Sequence, residues 1–296
     1  MTSSALLAPT GLLVVDKEPG WTSHDVVARV RSLYGQRRAG HAGTLDPDAT
    51  GVLLVGLGRV TRVLRYLVAL GKEYTAEIVL GVATDTLDAS GAVVGEWDTN
   101  GITLEDARRA AAGLTGLVQQ VPPMVSAVKV GGRRLHELAR RGLDVERPVR
   151  TVRVERFDLE LSGEPGVLCA TVACSSGTYV RTLAADLGAS LGGGAHVRRL
   201  RRTRVGSFTA DEAQPVSALD ASSLRSPAEA VRDLDRVAVD HEVARAVALG
   251  RPLDKVPIGA TGDGPWALVD ATGRLLAIYE QAVGHRIRPA VVLASR

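Results

Sequence analysis

The chain has 296 residues, 45% of them hydrophobic, which suffices for one large and one small domain with a sizeable core. Its 36 Lys and Arg nearly balance its 33 Asp and Glu, and a net charge of +3 argues against general adhesion to polyanions. Its two cysteines have no metal-ligand spacing, and no apolar stretch approaches the ~20 residues that span a bilayer. The first sixteen residues hold no Lys or Arg, so no secretory signal is expected, and we predict a cytoplasmic protein without a metal site.

The first part of the chain alternates between strand and helix patterns. Residues 11–16 are a Leu/Val run typical of a strand, and the helix after it is predicted to be capped by Ser23 and ended by Gly35. Apolar residues at helical spacing predict a second helix over residues 60–68. The period changes to two over residues 73–80, which predicts a strand with one buried face.

The middle of the chain continues this mixture. Thr103 and Asp106 have the spacing of a capping box and predict a helix that follows them. The remaining predictions are a strand over 125–130, a turn at 131–132, a helix over 133–141, strands over 151–161 and 167–174, and a helix over 178–191. In the strand over 151–161 the apolar alternation slips by one residue, which indicates a bulge.

These elements follow one another without a βαβ rhythm. We therefore predict an α+β fold, with a mixed, largely antiparallel sheet and flanking helices. Pro and Ser thin out the apolar pattern between residues 213 and 230, and a helix near 241–249 with strands over 266–270 and 275–280 follows. The predicted domains are 1–225 and a small β-rich domain over 230–296, and a chain that ends near Ser226 is expected to fold by itself.

The loop over residues 40–53, GHAGTLDPDATGVL, carries the first candidate for chemistry. It places His41 and Asp46 among Gly, Thr and Pro, so it can hold a carboxylate close to a substrate with little bulk around it. An isolated Asp-Pro is ordinary turn chemistry, because Asp bonds its own backbone and Pro presets φ. The loop therefore needs support from other segments.

Two familiar catalytic motifs fail on their context. Residues 188–192 match the G-x-S-x-G motif of hydrolases, which must follow a strand and open a helix, but here the motif lies at the predicted end of a helix. His136 and His241 each begin an H-E-x-x-H pattern, and Arg140 and Arg245 occupy the second His positions. Neither a serine hydrolase nor a zinc helix is indicated.

Four further segments stand in a distinctive order around the Asp46 loop. They are KEPGWTS at 17–23, KEY at 72–74, CSSGTYVRT at 174–182 and GAHVRRLRR at 194–202. Together with the loop they resemble, in sequence and order over residues 11–210, the TruB family of tRNA pseudouridine synthases, which act on uridine 55. One departure is Asp48, where many family members carry an apolar residue.

The resemblance implies the pseudouridine synthase fold with a PUA-like RNA-binding C-terminal domain. It implies isomerisation of a uridine in the T-arm of tRNA by base flipping, without a cofactor, and a monomeric enzyme is expected. The implied catalytic residues are Asp46, Tyr179 and Arg181. The implied substrate-binding residues are His41, Tyr74, Leu200, Lys17 and Arg202.

Several roles stay open at this point. An ionised Asp46 can act as a nucleophile at C1′ or at the uracil, or as a base at the 2′ position. Arg181 would oppose the protonation that burial favours. Arginines at 37–38, 133–134, 140–141 and 198–204 either hold phosphates or lie on solvated faces. The competing class is a non-catalytic protein of the same architecture that binds RNA or assists tRNA folding, and such a protein has no need of the carboxylate.

Overall fold

The structure is a computed structural model that describes residues 9–125, 129–130, 133–134 and 145–294. Within these residues the strands are β1 (Gly11–Lys17), β2 (Ala39–Ala42), β3 (Thr50–Leu57), β4 (Lys72–Leu80), β5 (Val82–Thr84), β6 (Val93–Glu96), β7 (Gly116–Gln120), β8 (Lys129–Val130), β9 (Arg133–Arg134), β10 (Arg150–Leu161), β11 (Val167–Cys174), β12 (Ala195–Val205), β13 (Phe208–Thr209), β14 (Gln214–Pro215), β15 (Asp235–Ala238), β16 (Leu253–Asp254), β17 (Trp266–Val269), β18 (Leu275–Gln281) and β19 (Arg286–Val292). The α-helices are α1 (Ser23–Leu33), α2 (Leu64–Ala69), α3 (Leu104–Gly113), α4 (Val180–Ser190) and α5 (His241–Ala248).

A ten-stranded sheet forms the larger part of the molecule. Its order is β14-β1-β3-β12-β4-β11-β10-β7, with β2 added to β3 and β13 to β12. The pairs β1–β14 and β3–β12 are parallel, and the other pairs are antiparallel. The predicted α+β class with a largely antiparallel sheet is therefore confirmed.

Local patterns account for the boundaries of several elements. Thr103 and Asp106 form the predicted capping box at the start of α3, and the register between β10 and β11 shifts after Val154, where a bulge was predicted. The cap of α1 is Thr22, one residue before the predicted Ser23, because its hydroxyl accepts the Asp25 N–H while the Asp25 carboxylate reaches back.

One predicted helix is wrong where it can be checked. Arg133–Arg134 form β9, which pairs antiparallel with β8, because two short segments complete each other's backbone hydrogen bonds. The turn predicted at 131–132 and the remainder of that helix lie outside the described residues.

Two hydrophobic clusters cover the two faces of the large sheet. The first, the helix-side core, packs α1, α3 and α4 against the sheet through residues such as Val26, Ala107 and Leu183. On β4 the residues at alternate positions are buried, as the period of two predicted.

The second cluster, the shared core, joins the large sheet to the C-terminal part of the chain. There β15-β17-β18-β19-β16 form a separate five-stranded sheet. Leu12 and Leu54 of the large sheet lie in one cluster with Ala267, Leu275 and Ile278 of this second sheet. The predicted β-rich C-terminal part is therefore present, and it covers a face of the larger sheet.

Candidate active site

A pocket of about 250 Å³ opens where β4 and β11 meet the start of α4. It is lined by the loop between β2 and β3, by β4, by the turn that precedes α4 and by β12. Its lining includes Asp46, Lys72, Tyr74, Tyr179, Arg181, Leu200 and Arg202. Segments that are far apart in the sequence thus meet around one cavity, because the strand order places β12 between β3 and β4.

Asp46 lies in the loop between β2 and β3, and its side chain is 40% exposed. The backbone of the residues on either side of it is fixed by hydrogen bonds from neighbouring elements. The Ser23 hydroxyl of α1 accepts a hydrogen bond from the Leu45 N–H at 2.9 Å and donates to the Leu45 carbonyl at 3.1 Å. The Lys17 ammonium donates to the Pro47 carbonyl at 2.8 Å. The loop is therefore fixed on both sides of its carboxylate.

Arg181 faces this carboxylate from the first turn of α4. Its side chain is only 5% exposed, and its Nη2 lies 3.0 Å from Oδ2 of Asp46. Nη2 also donates to the Val125 carbonyl at 2.8 Å, and Nη1 donates to the Thr86 carbonyl at 3.0 Å. A cation in the first helical turn is unfavourable beside the helix dipole. These acceptors explain why it is nevertheless stable there.

Asp88 is a site residue that the sequence did not reveal. Its Oδ2 accepts from Nη1 of Arg181 at 2.8 Å, so the guanidinium bridges two carboxylates. Burial disfavours the charge of Asp88, but hydrogen bonds from Ser90 and Thr86 and the charge of Arg181 outweigh it and hold its pKa below the usual range. The sequence around Asp88 has only the appearance of a polar turn, so the local signal could not have identified it.

The pKa of Asp46 is shifted in the opposite direction. Burial in the pocket raises the pKa of this carboxyl, Arg181 opposes the rise, and the nearby charge of Asp88 adds to it. The charges of Arg181 and, more weakly, Lys17 therefore favour the ionised form of Asp46. Carboxyl groups with perturbed pKa values inside a cleft are typical of catalytic sites.

Two side chains supply apolar walls. Tyr74 of β4 is 9% exposed, and it lines the pocket together with Leu200 of β12. Tyr179, the residue before α4, forms part of the rim close to Arg181. The cavity therefore combines the Asp46 carboxylate with the cations of Lys72, Arg181 and Arg202 and with aromatic surface, in a space suited to a small planar group.

Comparison with known proteins identifies the family. A sequence model of the "TruB family pseudouridylate synthase (N terminal domain)" matches residues 31–180, which is half of the chain. The chain belongs to the TruB family. A second model, of the "tRNA pseudouridylate synthase B C-terminal domain", matches residues 181–244.

Close relatives in the TruB family are similar over nearly the whole chain. The "tRNA pseudouridine synthase B" of Arthrobacter sp. (strain FB24) is 43% identical, with 96% of this chain and 97% of that protein covered. The proteins of the same name from Corynebacterium aurimucosum and Mycobacterium tuberculosis (strain H37Rv) are 46% and 44% identical, covering 93% and 96% of this chain and 93% and 95% of the relatives. The predicted family and enzyme class are confirmed.

Solved structures agree in fold. A chain from the "Crystal Structure of a Cbf5-Nop10-Gar1 Complex" superposes with a TM-score of 0.74 at 27% identity, over 97% of this chain and 85% of that one. A chain from the structure of an H/ACA RNP bound to a substrate RNA has a TM-score of 0.73 at 24% identity, over 97% and 86%. The predicted pseudouridine synthase fold is therefore confirmed.

Lys17 and Arg202 were both expected to bind substrate. In the structure their charged groups make hydrogen bonds to the backbone of the protein itself. Lys17 is fully buried, and its ammonium donates to the carbonyls of Glu18, Trp21 and Pro47. Burial lowers the pKa of Lys17 to about 8. The Arg202 guanidinium donates to three backbone carbonyls of the chain around the Asp46 loop, those of Gly43, Thr44 and Val52. In both residues the polar groups serve the loop and leave little capacity for RNA.

His41 lies on β2 outside the pocket lining. Its ring meets that of His24 edge to face, with the ring centroids 5.3 Å apart. Burial lowers the pKa of His41 to about 4, helped by the nearby positive charges, so the ring is neutral at pH 7. The structure does not bring His41 together with Asp46 in one cavity.

The arginine cluster at 198–204 is largely engaged within the protein. Arg198 pairs with Glu77 and Glu164, while Arg201 makes two hydrogen bonds of 2.9 and 2.8 Å to Asp16. Contact of these arginines with phosphates would therefore compete with existing ion pairs. Arg140 and Arg141 lie outside the described residues.

The described residues lack two other features, a metal-binding cluster and a membrane-spanning helix. No group of three or more His, Cys, Asp or Glu side chains there is arranged to hold a metal ion. No helix in that part of the chain is long and apolar enough to cross a membrane.

Proposed function

We propose that the protein isomerises uridine 55 in the T-loop of tRNA to pseudouridine, with Asp46 as the catalytic carboxylate and without a cofactor. The observation that carries the proposal is the Asp46–Arg181 pair at 3.0 Å in a pocket that also presents Tyr74, Tyr179 and Leu200. Relatives named tRNA pseudouridine synthase B, which are 43% to 46% identical over most of the chain, support the choice of tRNA as substrate.

The reaction rearranges atoms without adding or removing any. The N1–C1′ bond of the uridine breaks, the uracil turns, a C5–C1′ bond forms, and the proton on C5 is replaced by one on N1. A carboxylate can assist by attack at C1′ or at the uracil, or by removing a 2′ proton. Each route requires Asp46 in its ionised form, and Arg181 supports that form by lowering the pKa that burial raises.

The base must leave the RNA stack to reach Asp46. The carboxylate lies inside a pocket, which a base within a folded T-loop cannot enter, so flipping is required at a cost of a few kcal/mol. The Tyr74 ring offers a stacking face that offsets part of this cost. In this proposal Leu200 closes the apolar side, and Tyr179 relays the proton that leaves C5.

Lys17 and Arg202 act on the loop. Their hydrogen bonds to Pro47 and to Gly43 and Thr44 hold the backbone on both sides of Asp46. We therefore assign them as positioning residues. In the same proposal the enzyme is a cytoplasmic monomer that binds the T-arm, and residues 230–296 form a PUA-like RNA-binding domain beyond a catalytic domain over 1–225.

The deciding experiment compares two aspartates in the same loop. Asp46→Asn removes the charge with little change in shape, and Asp48→Asn does the same at an exposed position two residues away. With unmodified tRNA transcript, pseudouridine is mapped by carbodiimide-stop sequencing and binding is measured on filters. We expect Asp46→Asn to lose at least about 10³-fold in rate, to bind tRNA like the wild type because phosphate contacts are spread over the surface, and Asp48→Asn to remain active.

Two results would contradict the proposal. Turnover by Asp46→Asn close to that of the wild type would remove Asp46 from catalysis. A wild-type protein that binds tRNA but forms no pseudouridine at any position would favour the non-catalytic alternative, and a product at another uridine would refute the assignment of position 55.

A further inference from the structure

Gln120 is a buried amide for which neither the sequence nor the proposed reaction supplies a role. It is the last residue of β7, and its side chain belongs to a residue that is only 1% exposed. Its neighbour Gln119 is exposed, since alternate residues of a strand point to opposite faces. A buried amide must find hydrogen-bond partners or destabilise the fold.

Both partners of this amide belong to the backbone of one residue. The Tyr179 N–H donates to Oε1 of Gln120 at 3.0 Å, and Nε2 of Gln120 donates to the Tyr179 carbonyl at 3.2 Å. The two residues are 59 positions apart in the chain. The side chain thus holds Tyr179 at two points, as a neighbouring strand would, and this arrangement is called the Gln120 clamp below.

The clamp lies at the N-terminus of α4. Tyr179 is the N-cap of α4, with extended backbone angles of φ −105° and ψ 107°, and no side chain caps the helix at this end. The Tyr179 carbonyl also accepts the first helical hydrogen bond, from the Leu183 N–H at 3.1 Å. The clamp therefore fixes the peptide from which the Tyr179 side chain projects and from which the first turn, with Arg181, begins.

The stretch of chain after Gln120 touches the same turn again. The Val125 carbonyl accepts from Nη2 of Arg181 at 2.8 Å, and the same Nη2 contacts Asp46. Gln120 thus holds the backbone of Tyr179, and the Val125 carbonyl holds the guanidinium of Arg181. A shift at the clamp would displace both pocket residues relative to the carboxylate.

We propose that Gln120 is a positioning residue that orients Tyr179, and through the first turn of α4 also Arg181, for the isomerisation. The proposal rests on the proposed function, because the two side chains it orients are those assigned to the reaction. It predicts that loss of the clamp slows the chemical step at saturating RNA, while the RNA affinity is retained.

The test uses two glutamines on one strand. Gln120→Met keeps the length of the side chain and removes both hydrogen bonds, and Gln119→Met makes the same change on the exposed face. With full-length tRNA we expect Gln120→Met to lower kcat roughly tenfold or more, since small misplacements of reacting groups are costly, with KM changed by less than about twofold. Gln119→Met should keep both constants.

A second variant keeps the test decisive if Gln120→Met does not fold. Gln120→Glu retains the acceptor for the Tyr179 N–H but offers a donor to the Tyr179 carbonyl only when it is protonated. Burial beside a carbonyl oxygen favours the protonated form. The ratio of its kcat to that of the wild type should therefore rise as the pH falls, at temperatures where both proteins are folded.

The outcomes separate the clamp from the function itself. Wild-type kcat in folded Gln120→Met, or a pH-independent ratio for Gln120→Glu, would overturn the clamp. A raised KM with unchanged kcat would do the same, since it would place Gln120 in RNA binding. Absence of pseudouridine with the wild-type enzyme would instead refute the proposed function.

Discussion

At the scale of single residues, the site depends on one guanidinium shared by two carboxylates. A buried cation is stable only when it is paired and hydrogen-bonded. Arg181 meets this condition through Asp46, Asp88 and the carbonyls of Thr86 and Val125. Because Asp88 and the carbonyls hold the guanidinium in place, Arg181 is already positioned to stabilise the charge of Asp46.

Removal of that cation should change the pH dependence of the reaction. The pKa of Asp46 is raised by burial and lowered by Arg181, so Arg181→Met should raise it further. In the proposed reaction, activity needs the ionised form of Asp46 and is lost as the pH falls through this pKa. We therefore expect the acidic limb of the kcat profile to move to higher pH in Arg181→Met.

Arg181→Lys is the matched control for that experiment. Lys keeps the charge near Asp46 but cannot reproduce the planar fork that contacts Asp88 and two carbonyls. Its acidic limb should stay near that of the wild type, while kcat falls. An unmoved limb in Arg181→Met would show that the guanidinium does not set the ionisation of Asp46.

Tyr74 offers a test of base stacking. Tyr74→Leu fills apolar space without a stacking face, and Tyr74→Phe keeps the ring. Base–aromatic stacking contributes about 1–3 kcal/mol, so the Leu variant should be slower by roughly one to two orders of magnitude. We expect Phe to retain most of the single-turnover rate. Equal rates for the two variants, with only the melting temperature reduced, would make Tyr74 a core residue.

At the scale of elements, the Asp46 loop is held from three directions. β1 contributes Lys17, α1 contributes Ser23 and β12 contributes Arg202. The loop leads into β3, which runs beside β12 with so little space that a Cβ at Gly51 would lie 2.2 Å from the Arg202 carbonyl oxygen. Gly51 also has φ +99°, so this position requires glycine.

Lys17→Met tests this support. It removes a buried ammonium, so the carbonyls of Glu18 and Trp21 lose this donor and the Pro47 carbonyl keeps only the Gly20 N–H at 3.0 Å. A hydrogen bond to a charged group contributes about 1.5–3 kcal/mol, and the loop next to Asp46 loses one of its supports as well. We expect a lower free energy of unfolding in urea together with a reduced kcat. Glu18→Gln, at the exposed neighbouring residue, is the control. A destabilised variant with wild-type kcat would limit Lys17 to stability.

At the scale of the whole molecule, the two sheets are joined by side chains as well as by the shared core. The guanidinium groups of Arg59 and Arg62 donate to the carbonyls of Leu293 and Val292, each at 2.7 Å. Arg65 pairs with Glu280 of β18, also at 2.7 Å. The start of α2 and the segment before it are therefore bound to the last strands of the chain.

Because the C-terminal sheet covers one face of the large sheet, a truncated protein is no longer expected to fold by itself. A chain that ends at Ser226 keeps the pocket residues but uncovers Leu12, Leu54 and the rest of the shared core. Each large apolar side chain contributes about 1.5–3 kcal/mol on burial, against a total stability of about 5–15 kcal/mol. We expect the truncated chain to aggregate or to bind hydrophobic dyes. A soluble fragment with a cooperative melting transition and activity on a T-arm stem-loop would show that the catalytic part folds alone.

The sequence by itself determined the local features and the family. The capping box at Thr103, the period of two in β4 and the bulge in β10 depend on residues a few positions apart, so they can be predicted without the fold. The ordered segments around Asp46, Tyr74 and Arg181 were sufficient to indicate the TruB family. The pairing of Asp46 with Arg181 was expected from the same resemblance.

The tertiary structure alone decided which distant groups meet. Asp88 reaches Arg181 from a loop that is bridged to Val197 of β12, and Gln120 reaches Tyr179 from β7 at the edge of the large sheet. Nothing in their local sequence differs from an ordinary turn or strand end. The burial of Lys17 and the shared core between the two sheets also result from the packing of segments that are distant in the sequence. Such contacts depend on how elements pack in space, whereas sequence periodicity reports only which face of each element is apolar.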